Sequence, residues 1–383
     1  MAEREPPGAG SGVGAARHGT PKRNNPPLLG RLRARWDRLD NKARTAIVLV
    51  VAAVLAIGIG TIIGEVAEFD EVLNAIREAS PAWLAVCLLG ETLAYVGYIL
   101  AFWGTSRAAN GPRIPLGVMT HGVFVAFGAF AAANAAGGLA TDFWMLREAG
   151  ATTRSAVRRV LALNTLLYAV FGVGAFVVSL LVVTDVTDVP MGMAIPWLII
   201  VPPCVVLGVW LSGSATGRKL ASRAMARTWS RLFGDAVASV ILCRRMAAQP
   251  GSHKAALGGP VLNWAGELIC LWAALRAFGV SIPLPHLILA FAAAYVVTLM
   301  PLPAGGAGAI DASLAFGLHA VGVELAPALL ATFAYRFFSY WLEIPPALVA
   351  ISALPRLRRG LADVNGAHDA ELDQVLTEQP SPA

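Results

Sequence analysis

Eight apolar segments, each about long enough to cross a membrane, constrain this chain more than any other feature. They make the chain 56% hydrophobic and only 14% charged. A membrane-spanning helix needs about 20 apolar residues, and open strand edges are not tolerated in the hydrocarbon core. The sequence therefore predicts an all-α, polytopic helical membrane protein. The segments lie at residues 45–67, 82–104, 116–136, 158–183, 190–212, 256–279, 285–322 and 326–353.

Two of these segments contain glycine-rich interruptions that a plain membrane helix would not have. Residues 301–311 read PLPAGGAGAID, and residues 134–142 read NAAGGLATD. Proline has no N–H, glycine is costly in a helix, and broken backbone at membrane depth must be satisfied by protein or water. We expect the two runs to form one substrate-binding site. Its candidate residues are Asn134, Gly137, Gly138, Asp142, Pro301, Pro303, Gly305, Gly306, Gly308 and Asp311.

The positions of the basic residues indicate how the segments cross. If residues 116–149 and 285–322 each enter the membrane and return on the side they came from, all but three of the 30 Lys and Arg residues fall on one side with both termini. Lys and Arg are enriched in cytoplasmic loops. The sequence therefore predicts about six full spans plus two re-entrant broken hairpins, with both termini cytoplasmic.

The chain also shows an internal correspondence between its halves. Gly90-Glu91 recurs as Gly266-Glu267, and the glycine pair at 137–138 recurs at 305–306. With hairpins entering from opposite sides, this order is typical of an inverted repeat, in which broken helices meet near the midplane. Chance recurrence in a chain with 38 glycines is the alternative.

These boundaries divide the chain into five parts. The predicted parts are a disordered basic cytoplasmic tail (1–41), a first transmembrane repeat (42–212), a basic cytoplasmic loop with an interfacial helix (213–255), a second transmembrane repeat (256–355) and a disordered acidic cytoplasmic tail (356–383).

Ionisable residues inside the apolar segments are the other functional candidates, because charges in a bilayer are costly unless paired or hydrated. Arg336 has two interpretations: a structural ion pair with Glu343 or Asp311, or a ligand for a phosphate. Glu91, Glu267 and Glu343 are coupling carboxylates or structural hydrogen-bond partners. The amides around residues 305–309, at the start of a half-helix, are a candidate phosphate seat.

Motifs of soluble catalysis are absent from the sequence. There is no phosphate-binding loop, no nucleophile elbow and no zinc-binding motif, and the four cysteines are scattered. The sequence therefore predicts no catalytic residues, no metal and no cofactor. The distribution of its basic residues is explained by the orientation of the chain in the membrane, so no nucleic-acid partner is expected.

The C-terminal third resembles a known family. PLPAGGAGAIDASLAFGLHAVGV, followed by APALLATFAYRFFSYWLEIPPAL, is similar to a signature of the lysylphosphatidylglycerol synthase transmembrane-region family, also called flippase-like membrane proteins. Asp311 stands where that family often has glutamate, and Ala304 replaces a glycine. NAAGGLATDFWMLREAG resembles the first signature but lacks its Gly-Glu and following Arg.

The resemblance implies a domain that flips or holds lipids, without the aminoacyl-transferase domain of larger relatives. We expect a transporter of an anionic phospholipid or polyprenyl-linked lipid in a bacterial cytoplasmic membrane. The alternatives are an accessory protein that docks a cytoplasmic synthase and a lipid-linked transferase. The sequence does not indicate an oligomeric state.

Overall fold

The computed structural model describes residues 79–222, 228–296 and 308–377. The predicted first span, the N-terminal tail, and Pro301, Pro303, Gly305 and Gly306 lie outside these ranges. All regular elements within them are helical, which confirms the predicted class. The helices are α1 (Pro81–Arg107), α2 (Leu116–Glu148), α3 (Thr153–Val183), α4 (Met191–Gly213), α5 (Ala215–Ser222), α6 (Thr228–Ala248), α7 (Lys254–Ala277), α8 (Leu284–Val296), α9 (Ala309–Ala320), α10 (Leu325–Arg336), a π-helical turn (Phe337–Trp341), α11 (Ile344–Ser352) and α12 (Leu354–Thr377).

Several of these helices are candidate membrane spans. In the part of the chain that the structure describes, α1, α3 and α4 are long and apolar enough to cross a membrane, and the pair Leu325–Ser352 and Leu354–Gly366, bent by 67°, raises the number to four. Most of the apolar side chains of α4 are exposed, as expected for a helix that faces lipid. The count of eight apolar segments stays a prediction.

Helices α1 and α7 pack closely together, because glycines line their contact. A Cβ atom added at Gly90 would lie 2.7 Å from the backbone nitrogen of Cys270, and one added at Gly97 would lie 2.7 Å from the carbonyl oxygen of Gly259. The start of α1 therefore meets the end of α7, and the two helices are antiparallel. Small residues allow this close backbone approach, which stabilises helix pairs in membranes.

Helix α2 doubles back on itself. A Cβ atom added at Gly138 would lie 3.6 Å from the Cβ of Phe130, and Gly122 is in contact with Met145. A straight helix rises 1.5 Å per residue, which would separate Gly122 from Met145 by about 35 Å. The chain must therefore reverse direction between residues 130 and 138, and the two arms of α2 pack against each other.

Helices α8 and α9 pack against each other. A Cβ atom added at Gly317 would lie 3.0 Å from the carbonyl oxygen of Ala290. The loop between the two helices contains the PLPAGGAG run, of which only Gly308 is among the described residues. The side chains of α8 and α9 join those of α7 and α10 in one apolar core cluster.

The C-terminal region corrects one prediction. Residues 354–377 form helix α12, where the sequence predicted a disordered tail from residue 356. Leu357 and Leu361 are buried among residues of α2, and Gly360 packs against Val118. The acidic composition of residues 360–383 led to the prediction of disorder. Leu357 and Leu361 are nevertheless four residues apart, a spacing typical of a helix that packs on one face.

The predicted basic loop at 213–255 contains two helices, α5 and α6. Asp235 of α6 accepts hydrogen bonds from Arg158, at 2.9 Å, and from Arg154, at 3.0 Å, both at the start of α3. Asp235 is largely buried, so these ion pairs fix α6 against the first turns of α3.

Candidate functional site

A cavity of about 410 Å³ lies where both arms of α2 and the α8–α9 pair approach the other helices. Residues from α1, α3, α7 and α10 line the remaining walls, together with the π-helical turn that follows Arg336. π-Helical turns often occur at functional sites because they shift the side chains that follow. The sequence predicted a cavity shared by the two hairpins, and the described parts of both contribute to this one.

Three carboxylates line the cavity: Glu91 from α1, Glu267 from α7 and Glu343 between the π-helical turn and α11. Tyr335 donates a hydrogen bond of 2.6 Å to Oε2 of Glu267. This bond links α7 to α10 and partly stabilises the charge of Glu267, because a carboxylate gains from each donor that faces it. All three glutamates were named from the sequence, and the fold brings them to one space.

Glu91 is the least satisfied of the three. Only 5% of it is exposed, and its Oε2 has no hydrogen-bond partner among the residues that the structure describes. Glu343 is near enough to interact with it electrostatically, as is Tyr95, one turn along α1. A buried polar atom without a partner is costly and is uncommon in native structures. This atom therefore points to a ligand or a proton.

Arg336 is the only basic residue among the described residues that line the cavity. Its Nε lies 2.6 Å from Oδ1 of Asp311, on α9. The structure thus selects Asp311 over Glu343 as the ion-pair partner. A guanidinium has two further nitrogens, so the pair leaves Arg336 able to bind an anion.

The predicted phosphate seat at residues 305–309 is described only from Gly308 onward. The helix begins at Ala309, as expected, and Gly308 precedes it with a φ of 85°, which glycine adopts without strain. The N–H of Gly308 already donates a hydrogen bond of 3.0 Å to Oδ2 of Asp311. A carboxylate of the chain itself therefore occupies this N-terminus, and the amides at 305–307 lie outside the described residues.

Asp142 is buried on the return arm of α2, next to the cavity but not part of its wall. Tyr98 lines the cavity and donates a hydrogen bond of 2.8 Å to Oδ2 of Asp142. This bond ties the α2 hairpin to α1. Of the other candidates on this run, Gly138 lines the cavity, the carbonyl of Gly137 accepts a bond from Thr141, and the side chain of Asn134 is outside the described part.

Sequence reasoning missed the aromatic residues of the site. Tyr95 and Tyr98 lie four and seven residues after Glu91, so all three occupy one face of α1. This spacing on one helix face was the feature of the sequence that could have identified Tyr95 and Tyr98 as neighbours of Glu91. The rings of Tyr95 and Phe127 lie 4.6 Å apart, which packs α1 against the α2 hairpin.

Replacing Tyr98 by phenylalanine is expected to lower the free energy of unfolding by about 1–2 kcal/mol, because Asp142 loses its donor while staying buried. Thermal unfolding in detergent measures the change. Tyr168→Phe is the matched control, since Tyr168 is 44% exposed and its hydroxyl group is not needed by a buried acid. Equal losses in the two variants would contradict the structural role of the Tyr98 bond.

Comparison with known proteins adds one match. The family described as lysylphosphatidylglycerol synthase TM region matches residues 46–346, which includes every described residue that lines the cavity. No curated protein matches the chain.

Proposed function

Because the chain belongs to the lysylphosphatidylglycerol synthase transmembrane-region family, we propose that it is a transporter that moves phospholipid headgroups across the membrane through the cavity described above. Its family and its apolar helices make it a multi-pass membrane protein involved in lipid metabolism or transport. The finer assignment, translocation of a lipid, is our proposal.

One observation carries the proposal: the cavity is charged inside and reaches the surface at an apolar side. Leu139 on α2 and Tyr168 on α3 are the only exposed residues among the described residues that line it, at 40% and 44%. A lipid needs such an arrangement, because its headgroup requires polar partners while its acyl chains stay in the hydrocarbon. The headgroup would enter between α2 and α3.

The charges of the cavity favour a headgroup that carries both a phosphate and an ammonium group. Arg336 can bind the phosphate, and the three glutamates suit an ammonium group. The sequence favoured an anionic headgroup, but such a group without an ammonium would bring further negative charge next to three carboxylates. Aminated phospholipids are therefore our preferred substrate class, and anionic phospholipids or polyprenyl-linked lipids are the comparison.

We propose that the α2 hairpin and the α8–α9 hairpin are re-entrant and enter the membrane from opposite sides. The α2 hairpin follows the end of α1, and the α8–α9 hairpin follows the end of α7. Since α1 and α7 are antiparallel, the bases of the two hairpins lie at opposite ends of this pair. His286 at the start of α8 lies 3.0 Å from Asp188 in the acidic connection between α3 and α4, which supports an external base for the second hairpin.

The contact between α1 and α7 also supports an inverted repeat. A Cβ atom added at Gly90 would lie 2.9 Å from the carbonyl oxygen of Gly266, and one added at Gly266 would lie 2.5 Å from the carbonyl oxygen of Gly90. Reciprocal contacts of this kind are typical of a two-fold axis. In this topology both termini are cytoplasmic, and we propose a bacterial cytoplasmic membrane as the location.

The test is transbilayer movement in vesicles that contain the purified full chain. Acyl-labelled phosphatidylethanolamine and phosphatidylglycerol are compared, and a membrane-impermeant quencher reports the fraction of label in each leaflet. We expect the protein to accelerate movement of phosphatidylethanolamine at least about tenfold over protein-free vesicles, and to move phosphatidylglycerol more slowly.

A variant that fills the cavity sharpens the test. Ser339 is a small residue of the cavity wall, so Ser339→Trp should abolish movement without removing a charge. Phe316→Trp is the control, because Phe316 is 63% exposed on α9 and does not line the cavity. No movement of any lipid class by the native protein, or full activity of Ser339→Trp, would contradict the proposal.

A further inference from the structure

The three glutamates of the cavity have one basic neighbour among the described residues that line it. Arg336 interacts electrostatically with Glu91, Glu267 and Glu343, but its Nε is already paired with Asp311 on α9. The other titratable groups of the described cavity wall are tyrosines, which are neutral. They are Tyr95 and Tyr98 on α1, Tyr168 on α3, Tyr295 on α8, Tyr335 on α10 and Tyr340 on the π-helical turn.

The three glutamates are not equivalent. Glu267 accepts the hydrogen bond of Tyr335, whereas Glu91 has a buried oxygen without a partner in the described part of the chain. Glu91 and Glu343 interact with each other across the space between α1 and the π-helical turn. Two neighbouring carboxylates in a low-dielectric site do not both ionise, and such a pair holds one proton between them.

We propose that Glu91 and Glu343 share a proton, and that this proton is exchanged for the ammonium group of a lipid headgroup. The inference rests on the proposed function and names its coupling step. A metal ion suits the site less well, because no group of three or more acidic, histidine or cysteine side chains within the described residues could hold one.

The exchange balances charge within the cavity. As the headgroup enters, the O–H bond of the shared carboxylic acid breaks and its proton passes to water. An N–H of the ammonium group then donates to the same carboxylate oxygen. One positive charge replaces another, so the buried carboxylates are never left without a compensating charge, which would be costly.

This exchange predicts that headgroup binding weakens as the pH falls, since protons and ammonium groups compete for the same oxygens. With one proton released for each headgroup bound, the apparent affinity changes by up to about tenfold per pH unit. Translocation of phosphatidylethanolamine in vesicles should therefore respond to an imposed pH gradient. A pH-sensitive dye in the vesicle lumen should report protons moving opposite to the lipid.

The coupling variant is Glu91→Gln/Glu343→Gln, which keeps side-chain size and removes the proton site. It should show no proton movement and no response of lipid movement to the gradient. Glu324→Gln is the matched control, because Glu324 is exposed at the start of α10 and its side chain caps no helix. Lipid movement that ignores the gradient in the native protein would overturn the coupling while leaving the proposed function in place.

A second readout does not depend on transport. Infrared difference spectroscopy of the full chain detects the carbonyl band of a protonated carboxylic acid. We expect a band that is lost on addition of phosphoethanolamine in the native protein and in Glu324→Gln, and no band that responds to phosphoethanolamine in Glu91→Gln/Glu343→Gln. A native protein without such a responsive band, or an equal response in the double variant, would overturn the shared proton.

Discussion

Replacing Arg336 by methionine lowers the free energy of unfolding by about 3–5 kcal/mol, because it leaves the carboxylate of Asp311 buried without its cation. Arg336 and Asp311 have side-chain exposures of only 15% and 16%, so water cannot fully replace the lost charge. Thermal or denaturant unfolding in detergent measures the loss. Arg356→Met is the control, since Arg356 is exposed on α12 and should be close to neutral.

The double variant Arg336→Met/Asp311→Asn separates the ion pair from the helix cap. Asparagine removes the unpaired charge but keeps an oxygen that can accept from the N–H of Gly308 at the start of α9. We expect it to recover most of the lost stability. The same variant should still fail to move lipid, because the cavity has lost its anion-binding residue. A double variant as unstable as Arg336→Met would show that the arginine stabilises the fold by packing rather than by pairing.

Replacing Gly97 by leucine lowers the free energy of unfolding by about 3 kcal/mol, at the upper end of the usual effect of overpacking. A Cβ atom at Gly97 would lie 2.7 Å from both the Cα of Asn263 and the carbonyl oxygen of Gly259. Backbone atoms of a helix cannot move aside as a flexible side chain can. Helices α1 and α7 must therefore separate along the contact that positions Glu91 and Glu267.

The control for this variant is Gly174→Leu, which should raise the free energy of unfolding rather than lower it. Gly174 lies on an exposed face of α3 with no atom near its hypothetical Cβ. Gly174→Leu should therefore stabilise the protein slightly, because leucine is a better helix former than glycine by up to about 1 kcal/mol. Equal destabilisation by both leucines would contradict close packing as the role of Gly97.

Much of the fold was predictable because its signals are local or periodic. Apolar length predicted the described candidate spans, and the recurrent Gly-Glu pairs indicated an inverted repeat, which stays a prediction. The resemblance at residues 301–348 agrees with the family match. The helix of residues 354–377 was missed, because two buried leucines among charged residues give a weak signal until α2 is there to cover them.

The partners within the site were harder to predict, because they depend on which helices become neighbours. Sequence spacing allowed Arg336 to pair with Glu343 or with Asp311, and only the position of α9 decides between them. In the same way, the sequence alone does not indicate that Tyr98 bonds to Asp142, which lies 44 residues later. The reversal of α2 brings them together.

The most direct test of the central claim is to map where a headgroup binds. A phosphatidylethanolamine analogue with a photoreactive group near its phosphate is incorporated into vesicles with the full chain, and the cross-linked residues are identified by mass spectrometry. We expect adducts on the residues around Tyr168, Tyr340 and Arg336, and fewer of them in Ser339→Trp. Adducts confined to the exposed surface of α4, unchanged by that variant, would contradict headgroup binding in the cavity.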